Sequence, residues 1–110
     1  MSKKFERAAL LDSIEAEFGK GCAAICEERA RQKEVKGYDL ERDSHLYKDE
    51  ELAEASVTYA LSEKFLHSKS QLWPWDIEMY NPTPNNRLRE FQKSGALMAA
   101  QIDVTILLNN

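Results

Sequence analysis

Apolar side chains recur along most of this chain at steps of three and four residues, the period of one helix face. Phe5, Ala8, Leu11, Ile14 and Phe18 make the first such stripe and predict a helix over about 3–18. Gly19 and Gly21 then flank Lys20. Two glycines this close cost a helix about 2 kcal/mol relative to alanine. The stripe nevertheless runs on in phase through Cys22, Ile25 and Cys26. Residues 1–35 therefore read either as one long kinked helix or as two.

From Cys22 to about Val35 the pattern turns polar. Glu27 faces Arg31 and Glu28 faces Gln32, each one turn on, pairings worth a few tenths of a kcal/mol. Gly37 suits the position just past a helix end, and 37–48 reads as a loop. A third helix is predicted from Asp49, as N-cap, to about His67, with Glu50, Glu51 and Glu54 at its positive end. Leu52, Ala55, Tyr59 and Leu66 form its buried stripe, flanked by Ala60 and Phe65.

The stretch from Leu72 to Asn86 breaks the helical period. It holds both tryptophans and all three prolines. So bulky and stiff a connection is expected to dock on the helices it joins, with Trp73 and Trp75 either packed in the core or presented to a partner. Thr83 and Pro84 read as N-cap and first residue of the last helix, which runs to about Leu107. Leu88, Phe91, Gly95, Met98, Ile102 and Thr105 trace one of its faces. Gly95, Ala96, Ala99 and Ala100 are small enough to let another helix come close, and suggest homodimerisation there. The expected architecture is all-α: a compact single domain over 1–110, a bundle of three to four helices with the Trp/Pro-rich loop docked before the last.

Composition narrows the partners. The net charge is −4 and the pI near 5.2, which argues against general binding to nucleic-acid phosphates. Arg29, Arg31, Lys33 and Lys36 lie close together but read as a solvated helix end. No apolar run approaches the ~20 residues that span a membrane, and charges soon interrupt the N-terminal stretch, so no secretory signal is predicted. A cytoplasmic protein is expected. Cys22 and Cys26 share a helix face in parallel, poor geometry for a disulfide. With only His45 and His67 besides, they read as small core residues rather than metal ligands.

No phosphate-binding glycine loop, HExxH, CxxC, GxSxG or EF-hand loop is present. Carboxylates remain: Glu27 and Glu28 on one helix, Glu50, Glu51 and Glu54 on another. Two antiparallel helices can offer such groups to a divalent cation for phosphate-ester chemistry. Helix-start acids and solvated pairs are the plainer account.

The order of segments resembles a family of small, mostly uncharacterised phage and prophage proteins. The matching residues are Glu28-Arg29-Ala30-Arg31-Gln32, Gly37-Tyr38, Asp43 and His45. They continue with Glu51-Leu52-Ala53, Ala55 and Tyr59, then Trp73-Pro74-Trp75-Asp76 and Pro82. Lys93-Ser94-Gly95-Ala96-Leu97 and Ile102-Asp103 complete the match, which spans about 25–103. The family usually has glutamate where this chain has Gln101, a second aromatic where it has Met79, and a loop before Glu51 one residue shorter. A more distant similarity is to the all-α nucleoside triphosphate pyrophosphohydrolases of the MazG kind, of whose acidic motifs only Glu51-Leu52-Ala53-Glu54 is present.

Two functional readings follow. The first is a phage or prophage accessory protein that binds a host protein or a nucleotide-like ligand without turnover or cofactor, counter-defence being one such role. Its binding residues would be Glu28, Arg31, Gln32, Asp43, His45, Glu51, Trp75, Asp76 and Lys93. The alternative is a magnesium-dependent pyrophosphohydrolase with Glu28, Glu51 and Glu54 as metal ligands. The residues leave open whether the protein is an enzyme.

Overall fold

The longest helix, α6 (Arg87–Leu108), is the element against which three of the others pack. The computed structural model describes residues 3–37 and 39–109, with side chains from Glu6 onward. The side chain of Phe5 and the whole of Tyr38 lie outside the described residues. Preceding α6 are α1 (Lys3–Phe18), α2 (Lys20–Glu34), α3 (Leu40–Leu46), α4 (Glu51–Ala60) and α5 (Leu66–Leu72). Single 3₁₀ turns stand at Glu63–Phe65 and Ile77–Met79. Among the described residues there is no strand, and the fold is all-α. No helix among them is long and apolar enough to cross a membrane.

Among the described residues six helices replace the expected three to four, for local reasons. Gly19 adopts φ +99, which a residue with a side chain rarely does, and this separates α1 from α2. The two helices fold back on each other, joined near their far ends by a salt bridge between Arg7 and Glu34. The stretch read as a loop contains α3, because the Asp39 carboxylate accepts the Arg42 backbone N–H and caps a short helix. The helix expected to reach His67 stops at Ala60, where Leu61 turns extended. Phe65 and Leu66 are consequently exposed. At the last helix the cap is Asn86, whose side chain accepts from Arg89 N–H, while Thr83–Asn86 forms a turn ahead of it. α4 likewise begins one residue after Glu50, not on Asp49.

The core is small. Leu52, Ala55 and Tyr59 of α4 meet Leu97, Ala100 and Val104 of α6, and Tyr47, Trp73, Trp75 and Tyr80 pack against them. α2 crosses α6 on another side, where Gly95 makes the crossing possible: a Cβ there would stand 2.5 Å from Ile25 Cδ1. The small residues of α6 thus receive α2 and α4 of the same chain. α1 packs on α2 and on no other described element. It therefore projects, and the radius of gyration is 14.7 Å, against roughly 13 Å for a compact chain of this length. Phe18 and Cys22 are exposed and Cys26 is half-buried, so the cysteines are not the core residues expected. Burial and the neighbouring Cys22 push the Cys26 thiol up.

α6 turns the unexpected face inward. Glu90, Lys93 and Gln101 are buried with Ala96, Leu97, Ala100 and Val104, while Leu88, Phe91, Met98 and Ile102 point out. The inward polar groups are all engaged. Glu90 accepts from Thr83 N–H and pairs with Arg87. Lys93 donates to Asn81 C=O at 2.7 Å, and Gln101 accepts from Ala53 N–H at 3.1 Å in the first turn of α4. Arg87 donates to the carbonyls of Tyr59, Ala60 and Leu61 at the other end of α4. These contacts seat the Trp/Pro segment and both ends of α4 on one helix.

Candidate functional site

Where α2, α4, α6 and the Trp/Pro segment meet, they leave a cleft of about 110 Å³. α2 contributes Glu28, Arg31 and Gln32, which share a face at steps of three and four, and Lys36 follows just beyond the helix. α6 contributes Arg89, Lys93 and Leu97 at successive turns, and α4 contributes Tyr59. Trp73, Trp75, Met79 and Asn81 close the far wall.

Those aromatic side chains form a continuous cluster. Trp73 meets Trp75 edge-on with ring centroids 5.3 Å apart, and it meets Tyr59 edge-on at 5.7 Å. Tyr80 lies 4.9 Å from Trp73, and Tyr47 the same distance from Trp75. Such arrangements suit the ring quadrupoles and add about 0.5–1.5 kcal/mol per pair beyond burial. The indole N–H of Trp73 donates to Asp76 C=O, and the Tyr59 hydroxyl accepts from Asn81 N–H. Both tryptophans are half-buried. They fasten the segment and also present surface to the cleft.

The electrostatics of the cleft are mixed but mainly positive. Arg31, Lys36, Arg89 and Lys93 surround one carboxylate, Glu28. Glu28 is nearly fully buried and pairs with Arg89 at 2.8 Å and with Arg31 at 3.6 Å. Lys93 sits 5.3 Å over the Tyr59 ring. Burial, with Arg89 nearby, pulls its ammonium below the usual lysine range despite Glu28 and Glu90. A lysine held in this way gives up its proton more readily than one in water.

A second, narrower cavity of about 30 Å³ adjoins the first and shares Gln32, Trp75, Met79 and Leu97 with it. Asp43 lines this one, wholly buried, with Arg42 at 3.2 Å and Arg29 at 4.0 Å. Burial raises its carboxyl above the usual range, and the two guanidiniums pull the other way.

Of the nine binding residues read from the sequence, Glu28, Arg31, Gln32, Trp75 and Lys93 line the cleft and Asp43 lines the cavity beside it. The other three do not. His45 is exposed on α3, and Asp76 is exposed and contributes its carbonyl to Trp73. Glu51 accepts from Asp49 N–H at the start of its own helix. Nor are the three carboxylates proposed as metal ligands brought together. Glu28 is held by two arginines, Glu51 accepts from Asp49 N–H just ahead of α4, and Glu54 is exposed. Among the described residues no group of three or more His, Cys, Asp or Glu is placed to hold a metal ion.

Sequence reading missed Lys36, Tyr59, Trp73, Asn81 and Arg89 as cleft residues. Arg89 and Lys93 stand one turn apart, as do Glu28 and Gln32, so two polar stripes on two helices were the available signal. What pairs those stripes is the crossing at Gly95, which no spacing reveals.

The class this geometry defines is a small all-α protein with an aromatic-walled, mainly cationic cleft. No family model matches the chain, and neither a curated protein nor a solved structure is similar to it.

Proposed function

We propose that the protein binds, in the cleft between α2 and α6, an anionic ligand that carries an aromatic ring, a nucleotide or a close relative. The observation that carries this is the coexistence in one cleft of Trp73, Trp75 and Tyr59 with Arg31, Lys36, Arg89 and Lys93. Aromatic faces stack on bases with little regard to sequence, and guanidiniums grip phosphate oxygens in pairs. The cleft, about 110 Å³, is smaller than the ~150 Å³ apolar cavity that holds benzene, so a ring would enter it in part and keep one side open to solvent. The phosphates would then lie along the rim, over Arg31, Lys36 and Arg89. Glu28, already neutralised by two arginines, orients those arginines before the ligand arrives.

Together with the resemblance to small phage proteins, this reading makes the chain a phage or prophage accessory protein that captures a host nucleotide without turning it over. The pyrophosphohydrolase alternative has less to stand on here, since Glu28 is committed to Arg89 and Arg31. The test is a panel of nucleoside mono-, di- and triphosphates, followed by intrinsic tryptophan fluorescence and thermal melting, each with and without Mg²⁺. A ligand should quench or shift the indole emission and raise the melting temperature, and Arg89→Ala and Lys93→Met should abolish both responses. A panel with no response sinks the proposal. Phosphate or pyrophosphate release that needs Mg²⁺ and is lost in Glu28→Gln replaces it with the enzyme.

A further inference from the structure

The outer face of α6 is a second unassigned surface. Leu88, Phe91, Met98, Ile102 and Ile106 are 66, 50, 36, 53 and 57% exposed. Their spacing, with Gly95 and Thr105, alternates three and four residues from position 88 to position 105, which is the seam of a paired helix. No Asp, Glu, Lys or Arg interrupts it. At the one gap, Gly95, the Ile25 side chain of α2 lies across the backbone, so the apolar surface borders α2 as well.

The geometry points to a second copy of this chain as the occupant, with the two α6 helices antiparallel about a twofold axis near residues 96 and 97. Three arguments select it. The first is self-complementarity. Reflected about that point, position 91 falls opposite 102, 95 opposite 98 and 88 opposite 105, so Phe91 meets Ile102, Leu88 meets Thr105, and Met98 meets the Ile25 side chain that covers Gly95. A twofold interface requires one patch to fit itself in this way.

The second argument is area. The five side chains together expose on the order of 500 Å² of apolar surface, within the ~300–600 Å² that a monomer's largest patch reaches. A standard interface buries ~800 Å² per partner, about 57–65% of it non-polar. The seam therefore supplies about the apolar share of one such interface, and the polar flanks of α6 and α2 supply the rest. The third is direction. The antiparallel arrangement sets opposite helix-dipole ends together, whereas a parallel one would bring like ends together.

The dimer leaves both clefts open. Lys93 precedes Met98 by five residues, which at ~100° per residue turns it about 140° away from the seam. Self-association and ligand binding are thus separable, and this inference does not depend on the proposed function.

The test uses the full chain in sedimentation velocity and light scattering over a dilution series. Wild type should be a dimer that dissociates on dilution. Phe91→Glu and Ile102→Lys should each be monomeric with unchanged helical circular dichroism, since both positions are exposed. Mixing the two variants should restore a dimer, because the antiparallel register sets position 91 of one copy against 102 of the other, and leaves the second such pair native. A wild type monomeric at every concentration overturns the inference and leaves the seam to another partner. So does a dimer that persists in both single variants, or a mixture that stays monomeric.

Discussion

The two faces of α6 reverse the usual rule. The face turned toward the rest of the chain carries Glu90, Lys93 and Gln101, and the face turned to solvent carries Leu88, Phe91, Met98, Ile102 and Ile106. Burying an unpaired charge costs several kcal/mol, so the inner face is tolerable only because each polar group has a designated partner. The difference teaches that burial on this helix follows the need to anchor irregular backbone. Thr83 N–H and Asn81 C=O belong to a proline-rich stretch that has no ladder of its own, and α6 supplies their partners. Leu97, Ala100 and Val104 stay in the core beside these groups, and the remaining large apolar side chains of the helix stand outside.

Substitutions on the two faces should therefore differ sharply. Glu90→Leu leaves Thr83 N–H without its acceptor and strips the Arg87 guanidinium of its counter-charge, leaving it only the carbonyls at the end of α4. It is expected to lower unfolding free energy by about 3 kcal/mol in urea titration, whereas Glu90→Gln keeps one acceptor and should lose less. An equal loss in the two variants would mean the pairing contributes little. Gly95→Leu drives a side chain into Ile25 and should cost about 1–3 kcal/mol, part of it recovered in the double variant Gly95→Leu/Ile25→Ala. Gln101→Leu removes the acceptor for Ala53 N–H and should cost about 1 kcal/mol, the scale of a helix cap. On the outer face, Ile102→Ser and Phe91→Ser should change the stability of dilute protein by no more than about 0.5 kcal/mol.

Lys93 gives the smallest effect at neutral pH and a distinctive pH dependence. Folding lowers its pKa below the unfolded value of about 10.4. Between the two values the unfolded chain binds more protons, so this group makes stability rise with pH through that window. Lys93→Met should flatten that rise and lose the ligand response; at pH 7 the lost bond to Asn81 C=O and the relieved burial of the charge oppose each other, so stability should change little. An unchanged alkaline slope would place the lysine's ionisation outside the energetics of folding.

Much of this was legible in the residues. The all-α class and three of the four positions in the stripe Leu52, Ala55, Tyr59 and Leu66 follow from spacing, Leu66 being exposed, and the docking of the Trp/Pro segment follows from its bulk and stiffness. The three- and four-residue repeat on α6 was legible too, but its direction was not. Periodicity says that apolar side chains share a face and is silent on whether that face meets this chain or solvent. Glu90, Lys93 and Gln101 carried the contrary information. They recur at three and eight residues, on one face, yet their partners are backbone groups up to 48 residues away. Half of the cleft was visible for the same reason: Glu28, Arg31 and Gln32 share a helix face, whereas Arg89 joins them only through tertiary crossing. The ends of α3 and α6 turned on which of several Asp, Asn and Thr side chains wins the cap, a contest within about 1 kcal/mol.

α4 sits in α6 as a workpiece sits in a vice. One jaw is Gln101, on the first turn of α4, and the other is Arg87, on its last two carbonyls and that of Leu61 just beyond. Fourteen residues of a rigid helix hold the jaws ~21 Å apart. A helix of 10 residues would ordinarily fray from both ends, but here neither end can loosen unless α6 gives way. The amide protons of α4 should accordingly exchange with solvent in one step together with those of α6. A single residue inserted into α4 has no slack to take it up, and would pull one of the two jaws open.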